Sequence, residues 1–337
     1  MLSSLLVSVL LTALTLTHGS PMVSRDNSGS DPWLNFLDKN GLTTAEGLYA
    51  DFFNTDEAAQ VKEYLKCDDK YTILVPENEA FGSDKPSVGP ETGSLFLYNT
   101  IIGDVPSGAP TTSRRADKSE SRGVHSSGYN FPQRPSSKHK RWGLVEGRQV
   151  QVIDRQFSSS RKRWSDDSIF INQAVGSANV KKIYQYKSCK VFVIDLFNKL
   201  PTTISDLLCK PLIDTTPDGF VKFGGGLQKA DLLDRVDEYK ERTILAPTDD
   251  AFDEAGDIPE DRLQSILENH IITGTPVYST TFDDTPKATA DSGKEICFVT
   301  KNGVKYVTCG NQEAVVLRSD VTARNGAMHV IDKVLKC

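Results

Sequence analysis

Tyr71-Thr-Ile-Leu-Val-Pro-Glu-Asn-Glu-Ala-Phe81 returns 171 residues later as Arg242-Thr-Ile-Leu-Ala-Pro-Thr-Asp-Asp-Ala-Phe252, with Thr, Ile, Leu, Pro, Ala and Phe identical. A second phrase, Phe192-Val-Ile-Asp195, recurs as His329-Val-Ile-Asp332. Two phrases repeated in one order mark a duplicated unit, and such a repeat decides architecture before other signals do. Inside each first phrase, Thr-Ile-Leu-Val or Thr-Ile-Leu-Ala is a short apolar run of the kind a buried strand requires. The proline that follows cannot donate to a ladder and ends the strand, and Ala80-Phe81 begins a turn or short helix. The offsets differ, 171 against 137, so the first copy carries about 34 extra residues between its phrases.

Those extra residues match Ser107 to Arg141, a stretch rich in Ser, Gly, Pro and Arg and poor in aliphatic side chains. It holds eight basic residues against Asp117 and Glu120, a net +6 in a chain of net −6, which leaves −12 for the rest. With so little apolar surface to bury, the insertion is expected to be disordered. Three readings apply to it. It is a solvated loop, a tether that docks on a polyanion or on the acidic body, or a processing segment. Arg114-Arg115, Lys140-Arg141 and Lys162-Arg163 are dibasic, and cleavage concentrates in exposed flexible chain. Arg115, Arg141 and Arg163 are therefore the processing candidates.

Met1 to about Gly19 reads as a secretory signal, with an apolar run from Leu5 to Leu16 and small residues after it. That run is too short to span a bilayer, so no transmembrane segment is expected after cleavage. The expected address is extracellular, with a vacuolar lumen or the cell surface as alternatives. Six cysteines remain: Cys67, Cys189, Cys209, Cys297, Cys309 and Cys337. An even count in an oxidising compartment points to disulfides, and no CxxC pair suggests a metal. Cys297 and Cys309 flank a hairpin centred on Asn302-Gly303, where a bridge between them is expected. One long-range bridge per repeat, Cys67–Cys189 and Cys209–Cys337, completes the set. No Asn-x-Ser/Thr sequon occurs.

Each copy opens with helical apolar spacing, such as Leu34, Leu37, Ala45, Leu48 and Phe52, or Ile204, Leu207, Leu208 and Leu212. The remainder is strand-rich, so the order is α+β rather than alternating βαβ. Three motifs then appear in sequence: Thr243-Ile-Leu-Ala-Pro-Thr-Asp-Asp-Ala-Phe252, Leu267-Glu-Asn-His270-Ile-Ile-Thr-Gly274, and Ser319-Asp-Val-Thr-Ala-Arg-Asn-Gly-Ala-Met-His329-Val-Ile-Asp332. They resemble the signatures of fasciclin-type domains. The resemblance implies two tandem domains, 31–198 and 203–337, each a β-sandwich or wedge with a helical layer, the first degenerate. It also implies a secreted or surface protein of adhesion or binding type.

The first copy has Thr100 where the second has His270, and Phe192 where the second has His329. Loss of both together suits one buried hydrogen-bond network, since a lone partner would be left unsatisfied. Satisfied core histidines are thus favoured over catalysis. Asp249 and Asp250 follow a turn where carboxylates cap the next helix, and Gly224-Gly-Gly226 lacks the Gly-Lys-Ser/Thr of a phosphate loop and reads as a loop. There is no Gly-x-Ser-x-Gly elbow, so no catalytic, cofactor or metal set is assigned. The expected function is a non-catalytic module engaging a protein or cell-wall glycan, not nucleic acid. An alternative, from fasciclin-like fungal proteins, is an accessory of a laccase-type multicopper oxidase in aromatic polyketide pigment synthesis. The third is an enzyme using His270 and His329.

Overall fold

A computed structural model describes residues 31–82, 87–107, 120–130, 140–141, 144–145, 147–156 and 168–337. The proposed signal, Arg115 and Arg163 lie outside the described residues.

The first half begins with α1 (Pro32–Lys39), α2 (Thr43–Phe52) and α3 (Ala58–Leu65), followed by β1 (Tyr71–Pro76) and a 3-10 turn at Asn78–Phe81. After α4 (Thr92–Tyr98) come β2 (Thr100–Ile102), β3 (Glu120–Asn130), the two-residue strands β4 (Lys140–Arg141) and β5 (Leu144–Val145), β6 (Arg148–Gln156), β7 (Ser168–Asn172), β8 (Ser177–Tyr186) and β9 (Cys189–Ile194). Strands β1, β2, β3, β6, β7, β8 and β9 close into a barrel in that order. The second half has α5 (Ile204–Leu208), α6 (Val221–Lys229), α7 (Leu233–Asp237), β10 (Arg242–Pro247), α8 (Asp249–Ala255) and α9 (Glu260–Glu268). Its remaining strands are β11 (Ile271–Thr273), β12 (Lys287–Thr289), β13 (Glu295–Lys301), β14 (Val304–Cys309), β15 (Gln312–Ala323) and β16 (Gly326–Ile331). They form a seven-stranded sheet ordered β11-β10-β16-β15-β14-β13-β12. Where a sandwich or wedge with a helical layer was expected, the first half's strands close into a barrel and the second half's run in one seven-stranded order, with helices in both halves.

The repeated phrases occupy equivalent places. β1 runs parallel to β9 and antiparallel to β2, and β10 runs parallel to β16 and antiparallel to β11. In β1, Ile73 and Val75 face the helices while Leu74 faces the barrel interior; in β10, Ile244 and Ala246 face the helices while Leu245 faces the inner side of the sheet. A strand buried on both faces reads as a continuous apolar run, which is why the phrase carries no alternation. The repeated threonines make the same bond: Thr72 Oγ1 accepts from Val105 N–H at 3.0 Å and Thr243 Oγ1 from Val277 N–H at 2.8 Å. The repeated aspartates also match. Asp195 accepts from Asn179 N–H at 2.7 Å, and Asp332 from Val315 N–H at 2.6 Å.

Three expectations are corrected. Part of the basic insertion is an integral strand, because β3 lies within it and pairs with β6 from Glu120↔Gln156 to Ser126↔Val150. Ladder hydrogen bonds order that segment, a contribution that side-chain composition does not register. The other insertion residues, 108–119 and 131–139, fall outside the described residues. Next, Cys297 and Cys309 are not bridged. The register sets Ile296 opposite Cys309 and Cys297 opposite Thr308, which turns Cys297 to the outer face while Cys309 points inward. Cys309 pairs instead with Cys337, and Cys67 pairs with Cys189, each across a Cα–Cα distance of 5.6 Å. Cys209 and Cys297 are free thiols, since Cys337 is taken and Cys209 sits exposed at the end of α5. Lastly, Gly224-Gly-Gly226 lies inside α6. A Cβ at Gly226 would lie 3.4 Å from Leu267 Cδ1, an ordinary contact distance, so this glycine sits where α6 packs on α9.

Candidate functional site

Both histidines are fully buried and spend both ring nitrogens on the main chain. His270 Nδ1 lies 2.9 Å from Ile266 O, and its Nε2 accepts from Leu335 N–H at 3.0 Å. That fixes the tautomer, with Nδ1–H donating to the carbonyl. Burial lowers its pKa to about 4, so the ring is neutral. His329 Nε2 donates to Val277 O at 2.8 Å and its Nδ1 accepts from Asp320 N–H at 3.2 Å. Burial lowers its pKa as well, against the nearby Asp320 charge. The two rings share no hydrogen-bond partner, so the single network expected from their joint loss is not what links them.

The counterpart of His270 is also one residue off the expected one. Leu245 N–H donates to His270 O as Leu74 N–H donates to Asn99 O, so Asn99, not Thr100, occupies the position. Asn99 Nδ2 donates to Leu95 O, four residues back, at 2.9 Å, and its Oδ1 accepts from Asn198 Nδ2 at 2.9 Å. His270 makes the same two connections, to Ile266 and to Leu335. An amide that cannot take up a proton does the same work in the first half, which makes this position a structural link.

The acidic candidates are equally occupied. Thr248, not an aspartate, caps α8, accepting from Ala251 N–H at 3.2 Å. Asp249 reaches across instead and accepts from Lys222 N–H of α6 at 2.8 Å, where that helix lacks a side-chain cap of its own. Asp250 is exposed in the first turn of α8. Arg141 forms part of β4.

The side chains that gather around an open space were not among these candidates. Between the halves lies a cleft of about 420 Å³, within the range of roughly 300–1,000 Å³ typical of small-molecule sites. β3 supplies Arg122, β15 supplies Arg318, Ser319 and Asp320, and the turn from β7 to β8 supplies its far wall. Arg122 grips Asp154 with two bonds of 2.7 Å and crosses to Ser319 Oγ at 2.7 Å and Asp320 Oδ2 at 3.5 Å. Burial works to raise the Asp154 pKa, but the bond and charge of Arg122, with the Asn172 amide, hold it low. Asp320 is held in the left-handed region, φ 62°, which non-glycine residues rarely adopt. Its carboxylate is bound by Ser279 N–H at 2.6 Å and by Ser279 Oγ, and its own N–H rests on His329. His329 therefore positions the second half's side of this contact.

Arg318 completes the bridge, donating to Gln173 O at 2.7 Å and to Leu212 O. Burial and then the Arg122 charge lower its pKa. Beside the cleft, Val150 and half-buried Val124 of the first half pack on Tyr278 and Ala327 of the second. In sequence Arg122 is one of eight basic residues in the insertion, and a contact with a residue 198 positions away leaves no local trace.

Comparison with known proteins falls on the same ground. Residues 218–337 match the fasciclin domain. A fasciclin-like arabinogalactan protein of Arthroderma benhamiae is 22% identical over 295 residues, covering 83% of this chain and 62% of that protein. A second protein of that description, from Phaeosphaeria nodorum, is 28% identical over 127 residues, 35% of this chain and 38% of its own length. A Synechocystis protein is 31% identical over 118 residues, 32% of this chain and 62% of the relative. The chain thus spans less than two thirds of the curated relatives it matches. A FAS1 domain pair from the insect cell adhesion molecule Fasciclin I aligns with TM-score 0.38 and 16% identity, over 88% of this chain and 97% of that one. Among the described residues no helix is long and apolar enough to cross a membrane. Residues 218–337 of this chain thus carry a fasciclin domain.

Proposed function

We propose that this chain is a secreted, non-catalytic pair of fasciclin-type domains, 31–198 and 203–337, that binds a protein or glycan partner in the cleft between its halves. The observation that carries this reading is the cleft itself, an open space walled by polar side chains from both repeats. The histidines support the non-catalytic part: a neutral ring with both nitrogens on backbone groups has neither a proton to give nor a lone pair to accept one.

The test is retention of the full chain on extracellular glycan fractions and on secreted proteins, compared with Val175→Trp, which fills the mouth of the cleft from a side chain 48% exposed. Binding by the wild type and its loss in a folded Val175→Trp chain are expected. Equal binding by both would place the contact elsewhere. Loss of binding or of any turnover in a folded His270→Asn chain would return chemistry to the histidine. Recovery of a laccase-type oxidase, with faster coupling when the chain is added, would favour the accessory role.

A further inference from the structure

We infer that the cleft recognises a carboxylate-bearing sugar, with Arg318 as the receptor of the carboxylate; this rests on the cleft being the binding site. Arg318 is a half-buried cation whose two hydrogen-bond partners, Gln173 O and Leu212 O, are neutral carbonyls. Among the described residues no carboxylate lies within ion-pair distance of it, whereas Arg122 beside it has two. The nearby carboxylates are already committed. Asp154 takes both bonds of Arg122 and one from Asn172 at 2.8 Å, and Asp320 is bound by Ser279 and Arg122. A half-buried guanidinium bonded only to neutral carbonyls gains from a carboxylate a charge-assisted hydrogen bond stronger than those it already makes. A guanidinium has five N–H donors, of which Arg318 spends two on carbonyls, so it retains donors for a carboxylate.

The charges around the cleft narrow the ligand. Asp154 and Asp320 together balance Arg122 and Arg318, and the exposed Asp214 on the rim adds a further negative charge, so the cleft disfavours a dianion such as phosphate against a single carboxylate held by directed hydrogen bonds. The walls select the rest. Asn172 and Ser177 offer polar groups to hydroxyls, while Val175, Pro211 and Leu212 offer an apolar surface to the C–H face of a ring. An extended peptide is less well served. The first half's barrel is closed and β15 is paired on both sides, so the cleft presents no free strand edge for main-chain pairing.

The experiment is calorimetric titration of the full chain with three probes: a galacturonic acid trimer, a neutral galactose trimer and an acidic tripeptide. The uronate is expected to bind, more weakly at high salt, and the neutral sugar and peptide to bind at least tenfold less. Arg318→Gln is expected to weaken uronate binding about tenfold or more, the loss of a charge-assisted pair. Because Arg318 also brackets the two halves, Asp214→Asn supplies a variant without folding risk. Removing one exposed opposing charge should tighten uronate binding about two- to threefold. Equal binding of acidic and neutral trimers, or an unchanged affinity in Asp214→Asn, would overturn the inference. Tighter binding of the tripeptide would overturn the sugar class. If the wild type holds a neutral glycan or a protein that Val175→Trp does not, the binding module stands and only the uronate falls. If the wild type holds nothing, both fall.

Discussion

Replacing His270 with Asn, the residue its counterpart position holds as Asn99, should flatten the acid sensitivity of the second half. In the unfolded chain this ring titrates near the reference 6.5, and in the folded chain burial lowers that to about 4. A histidine with a depressed folded pKa binds its proton preferentially in the unfolded state. Its contribution is therefore fully present above pH 6.5, falls as pH drops from 6.5 toward 4, and is constant below 4. At about 1.4 kcal/mol per pH unit the full loss is about 3 kcal/mol, of which about 2 kcal/mol is already gone at pH 5. For a unit of about 120 residues, 1 kcal/mol corresponds to about 4 °C in Tm, so His270 alone accounts for a fall of about 8 °C between pH 7.5 and pH 5. His270→Asn keeps the bond to Ile266 O but leaves space beside Phe223. It should cost about 1–2 kcal/mol at pH 7.5 and equal or exceed wild-type stability at pH 5. The assay is calorimetric melting of both chains across that range. The curves converge if the reasoning holds; parallel curves, with the same Tm gap at both pH values, would refute it.

Arg122→Ala should cost about 2–4 kcal/mol, because it leaves fully buried Asp320 without its cation; calorimetry should then separate one melting transition into two as the halves uncouple. Cys337→Ser opens the 28-residue separation to Cys309 and should cost about 3.5 kcal/mol on a loop-entropy basis, while Cys209→Ser and Cys297→Ser should leave Tm unchanged. Peptide mapping without reduction checks the same pairing. Gly326→Ala should prevent the second half from folding, because φ is +155° and a Cβ would meet Arg242 O at 1.9 Å. Gly225→Ala, with nothing within 4 Å of its Cβ, should instead raise stability by about 0.5–1 kcal/mol, read as a rise in denaturant midpoint.

Some of this was legible in the chain because the same physical job recurs at the same place. Thr72 and Thr243 repeat since each hydroxyl anchors the loop beyond the neighbouring strand, and Asp195 and Asp332 repeat since each clasps the strand beside it. The pairing of Asn99 with His270 was hidden for the opposite reason. The two side chains share geometry but not chemistry, and letter matching placed Thr100 there instead. The strand in the insertion was hidden because Ser, Arg, Gly and His carry no strand pattern, and only the ladder from β6 orders them.

The sequence by itself determined the repeated phrases, the doubly buried strand of each and the fasciclin domain at 218–337, all of which rest on side-chain order within a short span. The tertiary structure alone decided the disulfide partners, the hydrogen-bond partners of the histidines, and the cleft. Each of these depends on which face a residue turns and what lies across from it. A one-residue register step moved Cys297 to the outside of the sheet, and the packing of the two halves brought Arg122 of β3 to Asp320 of β15 across 198 residues. No local pattern encodes either, because both are set by backbone pairing between segments far apart in the chain.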